Sequence, residues 1–392
     1  MTSDALPLGL DLIADRPSIA PRALIATGRA LGIAAGALTG TGLLALAWGS
    51  VERRMPILRR ITIDMPAHRG IKTMTILHLS DLHLFPGQQF LVDFLRRVAA
   101  EEHIDLVVST GDNFGLSEGL PLLEEAYEPL LALPGVFVFG SNDYYSAQKK
   151  NWGRYLLGSS KLPKSSIPDL PWIELARRFK DAGWLDLSNR AGTLTVESCG
   201  GGGSACGGST PEGSVLGDSA PGESALGGSQ LHGSARGGSQ RVSFLGTDDP
   251  HIGRDRIVEP DPSWALDSSL RIAVTHAPYT RVLNAFTTAG ADLILAGHTH
   301  GGQIGVPGFG AIVTNCDINQ KYAKGLHRWR AGDHSSLLHV SAGLGTSPYA
   351  PVRIATRPEA SHPAASCGGK SVWKASTTSA RVGVSSFSVI PL

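Results

Sequence analysis

With 392 residues the chain has room for two or three domains and a sizeable core. Its 35 basic and 34 acidic residues leave a formal charge of +1, which excludes a chain-wide basic field for wrapping nucleic acid, and 42% hydrophobic content excludes a wholly disordered chain. The 48 glycines and 24 prolines point to long irregular segments, while four cysteines, at 199, 206, 316 and 367, are too scattered for a disulfide scaffold and show no Cys-x-x-Cys spacing.

Residues 1–29 read as an N-terminal tail. Residues 30–49, ALGIAAGALTGTGLLALAWG, carry no charge, and as a helix rising about 1.5 Å per residue they would cross a hydrocarbon core of about 30 Å. Ala45-Leu46-Ala47 resembles a signal-cleavage site, but the long preamble and long apolar run favour an uncleaved transmembrane helix, and so a single-pass protein of the cell membrane. Arg16, Arg22 and Arg29 before the segment balance Arg53, Arg54, Arg59 and Arg60 after it, so charge assigns no orientation.

A juxtamembrane linker is expected over 50–71. From 72 to 198 short apolar runs alternate with amphipathic stretches: TMTILHLS, QQFLVDFLRRVAAEE, DLVVST, LPLLEEAYEPLLAL and GVFVFG. This is βαβαβ grammar, with Phe90, Leu91, Phe94, Leu95 and Val98 at helical spacing, and it predicts parallel strands covered by helices. The grammar resumes over 241–358 in RVSFLG, SLRIAVTH, RVLNAFTTAG and ADLILAGH, so one α/β domain is split by residues 199–240. There Ser recurs every five residues from 204 to 239, a period matching neither helix nor strand, and the Gly-rich units predict a flexible insertion. The flanking runs GTLTVE and RVSFLG are candidate neighbours in a sheet. Residues 359–381 read as a second, polar insertion, and 382–392 as a C-terminal strand.

Five short motifs each follow an apolar strand-like run: Asp81-Leu82-His83, Gly111-Asp112-Asn113, Gly140-Ser141-Asn142-Asp143, His276 and Gly297-His298-Thr299-His300. Ligands of open α/β sheets gather beyond the carboxyl ends of strands, where these motifs would bring seven oxygen and nitrogen donors and no thiolate. That donor set suits Mn, Fe, Zn or Ni, and its number suits two metals about 3.5 to 4 Å apart sharing a carboxylate. Two such cations neutralise phosphoryl oxygens and activate water for in-line attack on a phosphate ester. His78, inside the first strand, reads as a core or supporting histidine. Asp248 and Asp249, with Arg254, Asp255 and Arg256, read as a solvated charge run or, second to that, a polar rim meeting substrate, and Tyr144, Tyr145, Trp152 and Tyr155 as either core or an aromatic wall under a lid over 144–172.

In the order Asp-x-His, Gly-Asp, Gly-Asn-His-Asp, His and Gly-His-x-His, these motifs resemble those of the calcineurin-like metallophosphoesterases over about residues 72–350. SDLHL, GDN, HAPY and LAGHTHGGQI are similar to the membrane-associated bacterial branch typified by the YkuE and YaeI proteins. The resemblance implies two mixed β-sheets packed face to face between outer helices. It also implies one metal on Asp81, His83, Asp112 and His300, and another on Asp112, Asn142, His276 and His298. The third motif departs from the family, with Ser141 at the metal-binding asparagine and Asn142 at the histidine that protonates the leaving group. Either Asn142 reaches the metal from one position later, which its amide oxygen favours, or Ser141 serves as a weak ligand. An amide supplies no proton near pH 7, so the enzyme either acts on esters with a good leaving group or borrows an acid such as His251, and the candidate catalytic residues are Asn142, Asp143 and His251. The resulting expectation is a phosphoesterase with two divalent ions, Mn favoured, acting on a phosphodiester or pyrophosphate linkage of a membrane-associated or lipid-linked substrate. The alternative is a catalytically weakened metal-binding scaffold or sensor at the membrane. No nucleic-acid partner is expected.

Overall fold

In a computed structural model the chain is described over residues 21–65, 73–147, 167–197, 239–266, 269–367 and 377–380. The N-terminal apolar run is helical and forms α1 (Pro21–Glu52). Over Ala34–Glu52 this helix is long and apolar enough to serve as a membrane anchor or a signal sequence. The chain divides into one unit that ends at Ala47 and a second that begins at Trp48, so the last turn of α1 belongs to the second.

That second unit runs β1 (Ile57–Met65), β2 (Met74–Leu79), α2 (Gln89–Glu101), β3 (Leu106–Ser109), α3 (Leu120–Tyr127), β4 (Gly135–Phe137), α4 (Ser141–Tyr144), α5 (Trp172–Asp181) and β5 (Leu185–Asp186). It continues with β6 (Ala191–Glu197), β7 (Ser239–Gly246), β8 (Leu270–Val274), α6 (Thr280–Thr288), β9 (Leu293–Ala296), β10 (Gly305–Val306), β11 (Gly310–Ala311), β12 (Gly325–Ala331), β13 (His334–Val340), β14 (Glu359–Cys367) and β15 (Thr377–Ala380). One seven-stranded sheet has the order β15-β1-β14-β2-β3-β4-β5, and a six-stranded sheet the order β12-β13-β9-β8-β7-β6. Both are mixed, and β2 to β5 run parallel as the βαβαβ grammar predicts. β6 and β7 are antiparallel partners across the repeat segment.

Side-chain alternation explains the layers. On β3, Leu106 and Val108 pack with Ile272 and Val274 of β8 and Leu293 and Leu295 of β9, filling the space between the sheets. Val107, one residue on, faces the other way onto α2 and α3 with Leu95, Val98 and Leu123. The outer face of the second sheet is covered by α6 through Val282, Leu283 and Phe286.

Two segments differ from the sequence reading. The expected linker contains β1, whose Ile61 and Ile63 are buried. Its Arg59 and Arg60 suggest solvent, yet Arg59 pairs with Glu359 at 2.6 Å and Arg60 with Glu102. The expected polar insertion holds β14, seated inside the sheet between β1 and β2, and β15. β14 is inconspicuous because it has small residues instead of alternating apolar ones. Ala360 and Ser361 are fully buried, and the ladder to β2 is interrupted at His362 and Pro363, where proline has no N–H to donate. The expected strand over 382–392 and the repeat over 199–238 lie outside the described residues, as do Trp152 and Tyr155.

Between the sheets His78 and His339 are fully buried, with their Nδ1 atoms 3.1 Å apart, and Nε2 of His78 lies 3.0 Å from the Thr110 hydroxyl. Burial pushes His78 down to about 3 and holds His339 well below its ordinary value. Because the folded state keeps these rings neutral while the unfolded chain takes up protons near pH 6.5, stability is complete above that pH and falls as pH drops toward 3. His78 alone should cost about 2 kcal/mol by pH 5, at about 1.4 kcal/mol per pH unit. His78→Asn is therefore expected to lower stability at pH 7.5 yet shrink the further loss between pH 7.5 and 5.0, measured by urea unfolding in detergent. An equal acid loss in both proteins would contradict it.

Candidate metal centre

Each predicted ligand stands just past the carboxyl end of a strand. Asp81 and His83 follow β2, Asp112 follows β3, Asn142 follows β4, His276 follows β8, and His298 and His300 follow β9. The first sheet supplies four of these side chains and the second three, so the site exists only when the sheets face each other. The backbone there is adverse: Asp81, His83, Asp112, His298 and His300 all have φ between +42° and +69°. Each such residue costs on the order of 1 to 2 kcal/mol. The surrounding fold must supply that energy, which fits a site where side-chain aim outweighs backbone comfort.

Two groups result, Asp81 with His83 and His300, and Asp112 with His276 and His298, the ligand atoms of each lying within 4.8 Å of one another. In the first, His300 Nε2 is 3.1 Å from His83 Nε2 and 3.5 Å from Asp81 Oδ1. Asp112 lies between the groups, its Oδ2 3.5 Å from His83 Nε2 and its Oδ1 3.5 Å from His276 Nε2. Asn142 is held on the same carboxylate, its backbone N–H donating to Oδ1 at 2.8 Å and its amide lying 2.7 Å from Oδ2. A side chain at Gly140 would run into Asp112 Oδ1 and the His276 ring, so this approach requires glycine.

The chemistry of the second group tests whether a cation fits. His276 Nδ1 is 2.7 Å from the Thr110 carbonyl, and His298 Nε2 is 3.4 Å from the Asn315 carbonyl. Carbonyls only accept, so both those nitrogens donate, and the lone pairs of His276 Nε2 and His298 Nδ1 face each other 3.3 Å apart. Two lone pairs hold that position only around a proton or a cation. With three buried carboxylates in the same neighbourhood, Asp81, Asp112 and Asp249, divalent cations fit the set.

Charges follow. Burial pushes the Asp81 carboxyl up against the pull of His276, whereas for Asp112 the His276 and His83 rings and the Asn142 bond overcome burial and hold it well below the usual range. Burial, with the neighbouring rings of His251 and His83, holds His298 and His300 well below the ordinary histidine range. Both are thereby biased toward the neutral form, the form that coordination uses.

The remaining candidates divide. His251 comes to the site: its ring centroid is 4.4 Å from that of His298, and its Nδ1 is 3.1 Å from the Tyr279 hydroxyl. Asp143 differs from the expectation of a catalytic group. It is fully buried and accepts from the backbone N–H groups of Asp112, Asn113 and Gly140 at 2.7 to 2.9 Å and from the Asn113 amide at 3.1 Å, so it clamps two ligand loops together. Tyr144 is core, packed edge-on to Phe139 and Trp172, with its hydroxyl on Asp248.

Sequence reasoning missed Asp249. Expected in a solvated charge run, it is fully buried; its Oδ1 accepts from His251 N at 2.7 Å, and its Oδ2 has no hydrogen-bond partner among the described residues. Burial, opposed by His276 and reinforced by Asp112, raises it to about 7. The available signal was its position at the end of RVSFLG, the same strand-end placement the other motifs share. Arg353 was missed too: a fully buried guanidinium bonded to the carbonyls of Ala342 and Gly345 and 3.2 Å from His300 Nδ1.

The model of the calcineurin-like phosphoesterase family matches residues 74–302, more than half of the chain. The chain belongs to that family. It is a phosphoester hydrolase, and the two donor groups are the calcineurin-like phosphoesterase's candidate metal positions. A curated relative, the uncharacterized metallophosphoesterase YkoQ of Bacillus subtilis, is 22% identical over 306 residues, covering 76% of this chain and 87% of its own. Among solved structures, GAP50, the anchor in the inner membrane complex of Plasmodium, aligns at TM-score 0.31 and 12% identity over 73% of this chain and 76% of that one. The NAD nucleotidase NadN of Haemophilus influenzae aligns at TM-score 0.34 and 10% identity over 69% and 51%.

Proposed function

We propose that this calcineurin-like phosphoesterase cleaves a phosphodiester or pyrophosphate linkage of a membrane-associated or lipid-linked substrate at a centre of two divalent cations, manganese favoured. The observation that carries the metal assignment is the single Asp112 carboxylate, one oxygen against His83 and the other against His276. Asp81, His83 and His300 would hold one cation and Asn142, His276 and His298 the other, with Asp112 shared. When bound, the pair supplies Lewis-acid neutralisation of phosphoryl oxygens and activation of water. Gly140 keeps the floor of the site free of a side chain, and Asp143 fixes the Asp112 and Asn142 loops relative to each other. His251, beside His298, is assigned as the proton donor to the leaving group in place of the family histidine at which Asn142 stands.

The lipid-linked part rests on α1, whose length and apolar character suit an anchor. The test is hydrolysis by the full chain with Mn²⁺, offered the same diester headgroup on a vesicle-borne phospholipid and as a soluble glycerol analogue. At least tenfold higher kcat/KM for the vesicle-borne form is expected. Equal rates would remove the lipid assignment and leave the hydrolase, and no turnover on any ester, with metal bound, would return the scaffold reading.

A further inference from the structure

Exposed large apolar side chains of the second unit include Trp48 (57% exposed) and Val51 (51%) at the end of α1, and Val306 (46%) and Phe309 (75%) on the β10–β11 hairpin. Residues 352–355 tie these segments together. On one side Arg353 N donates to Gly49 O at 3.1 Å and Ala355 N to the Glu52 carboxylate at 3.0 Å. On the other, Ile354 N donates to Gln303 O at 3.0 Å and Gly305 N to Ile354 O at 2.8 Å. Gly49 is pressed so close that a Cβ there would stand 3.0 Å from both Arg353 O and Ile354 Cγ1. With neighbouring extended segments spaced about 4.8 Å apart, the end of α1 and the base of the hairpin are held within roughly 10 Å of each other.

A helix that crosses a bilayer leaves it at its end, and the residues there have the composition of an interface: Trp48, then Val51, then Arg53 and Arg54. The hairpin tip Val306-Pro307-Gly308-Phe309 carries no charge and exposes its two large side chains. In water that exposure is unfavourable; at the headgroup level beside α1 it is covered. We propose that the Val306–Phe309 tip is a second membrane contact, entering the interface of a phospholipid bilayer next to the end of α1. This rests on reading α1 as an anchor. His300 precedes Gly305 by five residues, at most about 18 Å of chain, so a seated tip holds the metal centre at the bilayer surface, where a lipid-linked ester presents its phosphate.

The test uses the full chain in nanodiscs of phosphatidylcholine and phosphatidylglycerol, with a benzophenone photo-crosslinker placed singly at position 309, at position 44 within α1, or at position 333 in the exposed turn between β12 and β13. Lipid adducts at 44 and 309, with at least tenfold less at 333, are the expected result. Adducts at 44 but not at 309 overturn the hairpin contact while the anchor stands, and so does a protein–protein adduct at 309, which would assign the tip to a second copy. Equal yields at 309 and 333 overturn it as well. Absence of lipid adducts at 44 as well as 309 removes the anchor and the hairpin contact together.

Discussion

Asp112→Asn is expected to lower Mn²⁺-stimulated hydrolysis of bis(p-nitrophenyl) phosphate on the order of 10³-fold, with the fold intact. The substitution keeps the size of the side chain and its capacity to bond Asn142, while the Asp112 backbone N–H still reaches Asp143. It removes the negative charge placed between the two donor groups, on a carboxylate 3.5 Å from both His83 and His276. An amide offers a single weak oxygen donor where two anionic ones stood, so both cations lose affinity together and the electrostatic stabilisation of the transition state goes with them. Bis(p-nitrophenyl) phosphate suits the measurement because its leaving group departs without protonation, so the loss reports on the centre and not on the proton donor. Circular dichroism guards against misfolding, and bound manganese per chain separates lost metal from lost chemistry. A variant that is folded and retains more than a tenth of the parental kcat/KM would show that Asp112 is not the shared ligand.

The centre was legible because each donor announces itself twice, by residue type and by standing where an apolar run stops. Periodicity gave β2, α2, β3 and β8 for the same reason: one face of each is in a core. The pairing of β6 with β7 was legible from two strand-like runs bracketing a repeat with no packing period. β1 and β14 were hidden by chemistry that makes sense only with a partner present. Arg59 reads as a solvated linker residue until Glu359 lies 2.6 Å away, and Glu359 reads as polar insertion until Arg59 does. Two long-range charges thus disguise adjacent strands whose pairing begins at Ile57 and Glu359. Asp249 was hidden in the opposite way, in a run whose Arg254 and Arg256 do reach the surface while its neighbour Asp248 is buried and pairs with Arg254. The serine-or-asparagine question at the third motif was not soluble from spacing, since one residue of register separates the answers. Only the three-dimensional course of α4 brings the Asn142 side chain onto Asp112.

His251→Ala is expected to divide substrates by their leaving groups. For alkyl phosphodiesters, whose alkoxide needs a proton as the bond breaks, kcat/KM should fall about 100-fold, while for p-nitrophenyl esters it should change less than threefold. Asn142 occupies the place of the family histidine and has no proton to give near pH 7, so a hydrolase that acts on alkyl esters needs another donor. Beside the second donor group the candidate is His251, whose ring is 4.4 Å from that of His298 and whose backbone N–H is fixed by Asp249. Burial, with nearby Cys316 and Asp249, pushes the Tyr279 hydroxyl up to about 12, so it stays protonated through the working range and offers His251 Nδ1 a neutral oxygen that can accept. A ring that gives a proton must be imidazolium, so Nδ1–H donates to that oxygen and Nε2–H, on the nitrogen away from Tyr279, is the proton for the leaving group. Tyr279→Phe should therefore reproduce part of the His251→Ala defect on alkyl esters by removing the acceptor that holds the imidazolium in place, and again spare the p-nitrophenyl ester. If His251→Ala slows both substrate classes equally, the ring supports His298 and the fold of the centre without supplying the proton; if neither class slows, water protonates the leaving group and Asn142 marks an enzyme restricted to esters that need no acid.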